Sequence, residues 1–276
     1  TGNLLVEDEG ILEEIFRIAK EKNLPVTVHA EDEQLMKANS ERILDKTHAR
    51  IHNKIRSNEV EAKAIEKAIS IQKKAGNKLH FLHVSTKEGI ELIAEAKKHS
   101  KSITCEVTPH HLFLSTEDIE KLGNFGKMNP PLRSEQDVQA LWAALNAGII
   151  DCIGTDHAPH TIEEKNQEYS KAPSGVPGIE TMLPLLLNAC NEGKIRLEKI
   201  VQLCSENPAR IFNLEGKGKI KEGFDADLVV LDLNKKQTVR NENLKTKCKW
   251  SPFNGLELKG IVEKTIIKGT IFQWEL

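Results

Sequence analysis

The chain is short of several features, and each shortage removes a class of protein. Its five cysteines, at 105, 152, 190, 204 and 248, include no close pair. That argues against a disulfide framework or a thiolate zinc cluster and fits a reducing, cytoplasmic setting. One tyrosine and three tryptophans are too few for a basic–aromatic nucleic-acid surface. No run of eighteen apolar residues occurs and no stretch reads as a secretory leader, so no membrane span is expected. The formal net charge of -2 supplies no field to gather nucleic acid or an anionic membrane. A nucleotide-binding glycine fingerprint and internal repeats are also absent.

What is present is an alternation of helix-like and strand-like stretches in 276 residues, 39% of them hydrophobic. That length can bury one large core, or one large and one small. Residues 8–22 space their apolar side chains near 3.6 and begin with acids, predicting an amphipathic helix. LPVTVHAED then reads as a strand ending in His29, and SERILDKTHARIHNKIRS as an irregular excursion with short helices. A helix over 59–75, the strand KLHFLHVS ending near His83, a helix over 87–99 and the strand SITCEVTPHH follow. A helix is expected over 134–147, capped by Ser134, then the strand GIIDCIG. Further helices are expected at 178–190, where Pro184 disturbs the middle, at 196–204 and around 206–212. After residue 214, short alternating runs broken by Gly, Asn and Lys predict a β module. The expected division is therefore 1–213 and 214–276. The βα rhythm predicts a parallel α/β domain, in which active sites gather at the C-terminal strand ends.

Chemistry-bearing residues collect at those ends. His29, His83 and Asp156 each stand where an apolar strand turns polar, and imidazole nitrogens with a carboxylate oxygen are ordinary zinc ligands. One histidine at a strand end is more often not a ligand; three such ends in one series raise a shared site. Side-chain parity along the strands groups Asp156 with Gly154 and Cys152, and His83 with Phe81 and Leu79, as interior sets. His157 and His160 either hold an anionic group, orient Asp156, or merely cap a polar loop. Pro130 and Pro131 stiffen KMNPPLRSEQD and could aim Asn129 at a ligand. APSGVPGIE, with Pro173 and Gly175, could offer backbone groups to a planar amide. Cys152, inside an apolar run, reads as a small core residue.

The motifs VHAED, HVST, EVTPHHLFL, MNPPLR, GTDHAPHT and PGIETMLPLLLNA together resemble long-chain dihydroorotases among the cyclic amidohydrolases. NPARIFNL followed by GKIKEGFDADLVVLD is similar to the closing part of amidohydrolases generally. The likeness spans nearly the whole chain. It implies a TIM-type (β/α)8 barrel holding two zinc ions at its mouth, with His29 and His83 as ligands. It implies Asp156 as a ligand of the more buried metal and as acid/base. Asn129 and His160 become substrate contacts, the latter at the substrate carboxylate, and the backbone near Pro173 and Gly175 faces substrate. His110 and His111 are not ligands in the family pattern. The implied reaction is reversible cyclisation of N-carbamoyl-L-aspartate to L-dihydroorotate in pyrimidine synthesis. The small-molecule enzyme would be a homo-oligomer, with aspartate transcarbamoylase as a candidate contact.

The chain also departs from that pattern. The His-x-His pair of the first barrel strand, its accompanying arginine and asparagine, and the bridging carboxylated lysine or aspartate are not identifiable. The expectation is a barrel lacking its N-terminal strands in this chain, completed by another segment or a second chain. Two rivals remain open: a hydantoinase- or allantoinase-like hydrolase, and a catalytically silent homologue with an assembly role.

Overall fold

The computed structural model describes residues 6, 8–43 and 49–273. Its internal contacts form two units, Thr1–Gly154 with Lys165–Ser174, and Thr155–Glu164 with Gly175–Leu276. The predicted excursion at 40–57 falls partly outside the described residues.

The first unit alternates helices with parallel strands. Its elements are α1 (Glu9–Glu21), β1 (Pro25–Val28), α2 (Glu33–Glu41), α3 (Ala49–Ile55), α4 (Asn58–Ala75), β2 (Lys78–Phe81), α5 (Lys87–His99), β3 (Ile103–Val107), α6 (Pro109–Phe113), α7 (Ile119–Leu122), α8 (Glu135–Asn146) and β4 (Cys152–Ile153). Local chemistry fixes the helix starts. Asp8 accepts from Ile11 N at the head of α1, Thr86 accepts from Gly89 N at the head of α5, and Ser134 and Asp137 form a reciprocal capping box on α8. The α1 helix forms as its spacing predicts, yet the stripe Ile11, Ile15, Ile18 is exposed and Phe16 is the buried residue.

The strands lie in the order β1-β2-β3-β4, all parallel. Sequential order with right-handed crossovers sets every connecting helix on the same face, the winding of a barrel wall rather than of a doubly wound sheet. The two faces differ accordingly. Leu79, Phe81, Ile103, Cys105 and Val107 share one face and are fully buried. His80, Thr104 and Glu106 share the other: His80 Nδ1 lies 2.8 Å from Thr104 Oγ1, and its Nε2 3.2 Å from Glu106 Oε2. A Cβ added at Gly154 would lie 2.5 Å from the Glu106 carboxyl carbon, so Gly154 leaves space on this polar face.

This corrects the parity argument. Cys152 and Gly154 do belong to the polar face, but Leu79 and Phe81 belong to the opposite one. The backbone at His83 is left-handed, φ +35°, and alternation cannot be counted through such a residue.

Two lysines fasten the segment 165–174 within this unit. Lys165 Nζ donates to Lys127 O at 3.2 Å and Pro173 O at 2.9 Å, while Lys127 Nζ donates to Tyr169 O and Ala172 O, both at 2.6 Å. The Lys127 ammonium also sits 4.7 Å from the Tyr169 ring centroid. Burial, and then the charge of Lys127, lower the Lys165 pKa to about 7.

The second unit begins with the site loop, which runs into α9 (Ile162–Lys165), and continues through α10 (Ile179–Asn191), α11 (Leu197–Val201), a π-helical turn over Gln202–Glu206, and α12 (Asn207–Ile211). Pro184 lies inside α10 without ending it. The antiparallel strands β5 (Leu228–Thr238), β6 (Glu257–Ile267) and β7 (Thr270–Gln273) follow. The first two are eleven residues long, longer than the short runs the sequence suggests, because β5 is bent by register shifts near Val230 and Asp232 rather than ended there. Gly260, at φ +108°, lets β6 approach α10: a Cβ there would lie 2.6 Å from Leu187 Cβ. Asn188 and Asn191 tie the two elements through the backbone of Lys259. Among the described residues no helix is long and apolar enough to cross a membrane.

Two outcomes follow. Gly154→Ala should cost about 1–3 kcal/mol by displacing Glu106, and most of that cost should vanish in a Glu106→Ala background, read as a denaturation double-mutant cycle; additive costs would refute the packing. For Lys165 the folded pKa lies below the unfolded value of about 10.4, so the unfolded chain binds more protons between the two. The penalty of burying the charged lysine is fully present below pH 7 and fades as pH rises toward 10. Denaturation midpoints should shift in favour of the parent over Lys165→Met across that window, and a pH-independent difference would contradict it.

Candidate active site

His29 immediately follows β1, and His83 stands two residues beyond β2. Neighbouring parallel strands in register thus deliver both rings to the same end of the sheet. His29 Nδ1 faces His83 Nε2 at 2.9 Å, with the rings edge to face and centroids 4.6 Å apart. The other nitrogen of His29, Nε2, lies 2.7 Å from Glu31 Oε2. Glu31 is fully buried and paired with Arg56 Nη1. Burial acts to raise the Glu31 carboxyl, but the hydrogen bond from His29 and the charge of Arg56 outweigh it and hold the group below its ordinary value. An ionised Glu31 accepts, so His29 donates from Nε2 and turns the lone pair of Nδ1 toward His83.

Two imidazole nitrogens at this distance need a proton or a cation between their lone pairs. Ligands of one tetrahedral zinc, each at 2.0–2.1 Å, stand roughly 3.3 Å apart, close to what is seen. The carboxylate behind His29 is also the usual outer support of a ligating imidazole. The donor set of this half therefore fits a metal ion. Among the described residues no group of three or more His, Cys, Asp or Glu side chains converges as a complete metal cage.

Asn129 is held by His52, whose Nε2 lies 2.8 Å from Asn129 Oδ1 and 3.0 Å from Met128 O. Burial, with the charge of Arg56 next, lowers the His52 pKa to about 4, so a neutral ring donates one N–H shared by two acceptors. Arg133, from the same MNPPLR motif, is buried and donates to Ser85 Oγ. His111 uses both nitrogens, Nδ1 at 2.8 Å from Thr108 Oγ1 and Nε2 at 3.1 Å from Pro130 O. His110 packs on it with ring centroids 4.5 Å apart. Burial drives His111 well below its ordinary value and, aided by His83, His110 to about 3, so both rings are neutral. Pro173 offers its carbonyl to Lys165, as described, which uses one of its acceptor positions.

The second unit carries the remaining predicted residues. Asp156 lies three residues beyond β4 with left-handed backbone, φ +45°, so it and His83 both occupy a costly conformation. His157 resolves toward capping: its Nδ1 accepts from Gly178 N at 3.1 Å, at the head of α10, so it is not free to orient Asp156 through that nitrogen. The His160 carbonyl accepts from Trp250 Nε1 at 2.7 Å, and its Nδ1 lies 3.6 Å from Glu164. Gly175, at φ +136°, packs against this loop: a Cβ there would lie 2.6 Å from Ala158 O and 3.2 Å from His160 Nε2. His157 and Val176 form an isolated parallel bridge, which explains why the glycine must be there.

Sequence reasoning missed Glu31, Arg56, His52 and Arg133. Glu31 alone had a readable signal, an acid two residues after a strand-end histidine in VHAED. The arginines and His52 act across 25 to 77 residues of chain and left no local pattern.

The model of the amidohydrolase family matches residues 6–272. Dihydroorotase of Methanosarcina mazei is 42% identical over 283 residues, covering 100% of this chain and 62% of its own length. That of Halobacterium salinarum is 40% identical over 270 residues, covering 98% and 62%. Among solved structures, L-hydantoinase (dihydropyrimidinase) from Arthrobacter aurescens superimposes with a TM-score of 0.94 at 34% identity, covering 98% of this chain and 61% of that one. Dihydropyrimidinase from Brevibacillus agri gives 0.92 at 30%, with the same coverage. The chain thus spans about three fifths of the length of these relatives, and its parallel sheet and following β module are those of part of a (β/α)8 amidohydrolase with its C-terminal strands. With a family model matched over nearly all of its residues and a relative 42% identical along its whole length, the chain belongs to the amidohydrolase family.

Proposed function

We propose that this chain forms the larger part of a zinc-dependent dihydroorotase, which interconverts N-carbamoyl-L-aspartate and L-dihydroorotate. The observation that carries the reading is the approach of His29 Nδ1 to His83 Nε2 at 2.9 Å, backed by buried Glu31. Identity supports the substrate: the dihydroorotases named above reach 40–42%, the hydantoinase structure 34%. Two zinc ions are proposed, with His29, His83 and Asp156 among their ligands and the other ligands outside this chain. The rest of the barrel would come from a further segment or second chain, a reading supported by the single described partner of β1 and the bare isoleucine stripe of α1.

When bound, zinc lowers the pKa of a water and polarises a carbonyl. The chain's own residues then have distinct tasks. In the hydrolytic direction Asp156 accepts a proton from the attacking water and delivers one to the ring nitrogen as the C–N bond breaks; the cyclisation reverses both transfers. A carboxylate that also ligates metal has little basicity to spare, so Asp156 works through a weak contact with the reacting oxygen. His160 holds the substrate carboxylate, Asn129 contacts the ring, and the backbone near Pro173 and Gly175 faces its planar amide. Homo-oligomerisation, a cytoplasmic location and contact with aspartate transcarbamoylase belong to the same proposal.

The competing reading, a hydantoinase-like hydrolase, is favoured by the fit to the L-hydantoinase structure and separates by a substrate panel followed in the ultraviolet. In the intact protein, dihydroorotate should turn over and hydantoins should not; the converse pattern would overturn the substrate assignment. His29→Ala and His83→Ala should each lower bound zinc together with rate. Asp156→Asn should reduce kcat by about 100-fold or more while KM moves little, and full turnover in that variant would remove its catalytic role.

A further inference from the structure

The residues that follow His83 are held by a carboxylate from another helix. Glu61, in the first turn of α4, is almost completely buried. Its Oε1 accepts from Ser85 N at 3.1 Å, Thr86 N at 2.9 Å and Thr86 Oγ1 at 2.7 Å, and its Oε2 accepts from Ser85 Oγ. Arg133 closes the arrangement: its Nε donates to Ser85 Oγ at 3.0 Å, its Nη1 donates to Arg56 O, and its Nη2 lies 3.9 Å from Glu61 Oε2. Space is reserved for the carboxylate. A Cβ at Gly89 would lie 2.8 Å from Glu61 Oε1 and from Thr86 Oγ1.

Helix capping does not account for this cluster. The α5 helix already has its cap, since Thr86 Oγ1 accepts from Gly89 N. What Glu61 adds is a fixed position for Ser85 and Thr86. With β2 ending at Phe81 and α5 starting at Lys87, the connection must complete its turn within a few residues, and it does so with left-handed backbone at His83. Such a conformation costs on the order of 1–3 kcal/mol and persists only when its surroundings over-determine it. The clamp on Ser85 and Thr86 supplies that determination on one side. On the other, Arg133 grips the carbonyl of Arg56, the residue whose side chain pairs with Glu31 behind His29.

We propose that Glu61, seconded by Arg133, is a positioning residue of the metal centre, setting the backbone of His83 so that Nε2 meets His29 Nδ1. The proposal rests on the reading of His83 as a metal ligand. Glu61 touches neither metal nor substrate; it acts through the loop.

The test uses Glu61→Gln in the intact protein, with zinc affinity measured by competition against a chromogenic chelator and ligand geometry by the visible spectrum of the cobalt-substituted form. Zinc should bind about 10–100-fold more weakly, the cobalt bands should change, and kcat should fall more than KM rises. A purely structural role predicts an equal zinc-induced gain in Tm for variant and parent; the positioning role predicts a smaller gain in the variant. Zinc affinity within about twofold of the parent, with an unaltered cobalt spectrum, overturns the proposal. Should Glu61→Gln fail to fold, Ser85→Ala decides by the same criterion, since it removes the hydroxyl that Glu61 and Arg133 share. His83→Ala separates the two failures. If it too leaves zinc binding unchanged, the ligand reading is wrong; if it abolishes binding while Glu61→Gln does not, only the positioning role is lost.

Discussion

The approach of His29 Nδ1 to His83 Nε2, 2.9 Å apart at the ends of adjacent parallel strands, is the contact on which the rest of the first unit turns. Lone pairs that close repel unless something positive lies between them, so the arrangement holds only with a proton or a metal in place, or with a frame that resists its spreading. The frame is visible. His29 is fixed through Nε2 by a buried, ionised Glu31, and His83 is fixed through its backbone by residues that cannot shift without breaking buried hydrogen bonds. One ring is held by its far nitrogen, the other through the loop that carries it.

The fold explains why two distant histidines meet. Strands in sequential parallel order keep their crossover helices on one face, so the chain enters and leaves every strand in the same sense and the C-terminal ends of neighbouring strands lie side by side. The loops that leave those termini are where the polar chemistry lies. His80, Thr104 and Glu106 make the other face of the sheet polar over its middle, so the region below the strand ends is a hydrogen-bonded polar layer rather than an apolar plug. Gly154 is part of that face: its missing side chain is the space Glu106 occupies.

Much of this was legible in the sequence, and the reasons differ by element. The helices over 59–75, 87–99 and 134–147 appeared as α4, α5 and α8 because apolar periodicity and side-chain caps are local signals. The parallel α/β class followed from the rhythm of strand and helix. Parity failed at β2, since the left-handed residue at 83 interrupts the alternation on which counting depends. That His157 Nδ1 accepts from Gly178 N at the head of α10 was not legible, because that partner lies 21 residues away. The arginines behind the histidines were illegible for the same cause. An arginine that ends in a buried carboxylate reads in sequence like any surface arginine, and only the fold shows which it is.

The buried charges themselves argue that the network serves geometry more than stability. Removing the Glu31, Glu61 and Arg133 side chains from water costs several kcal/mol per ion, and mutual attraction in a low-dielectric interior seldom returns more than it costs. Well-packed apolar residues of similar volume would support the α4–α5 packing equally well. They could not, however, discriminate between one position of Ser85 and a neighbouring one, since apolar contact is non-directional. Four hydrogen bonds converging on one carboxylate do discriminate, because each weakens steeply with misalignment. A fold that retains such a group directly behind a strained histidine accepts a cost in stability, and what it obtains is a ring nitrogen held at a defined place.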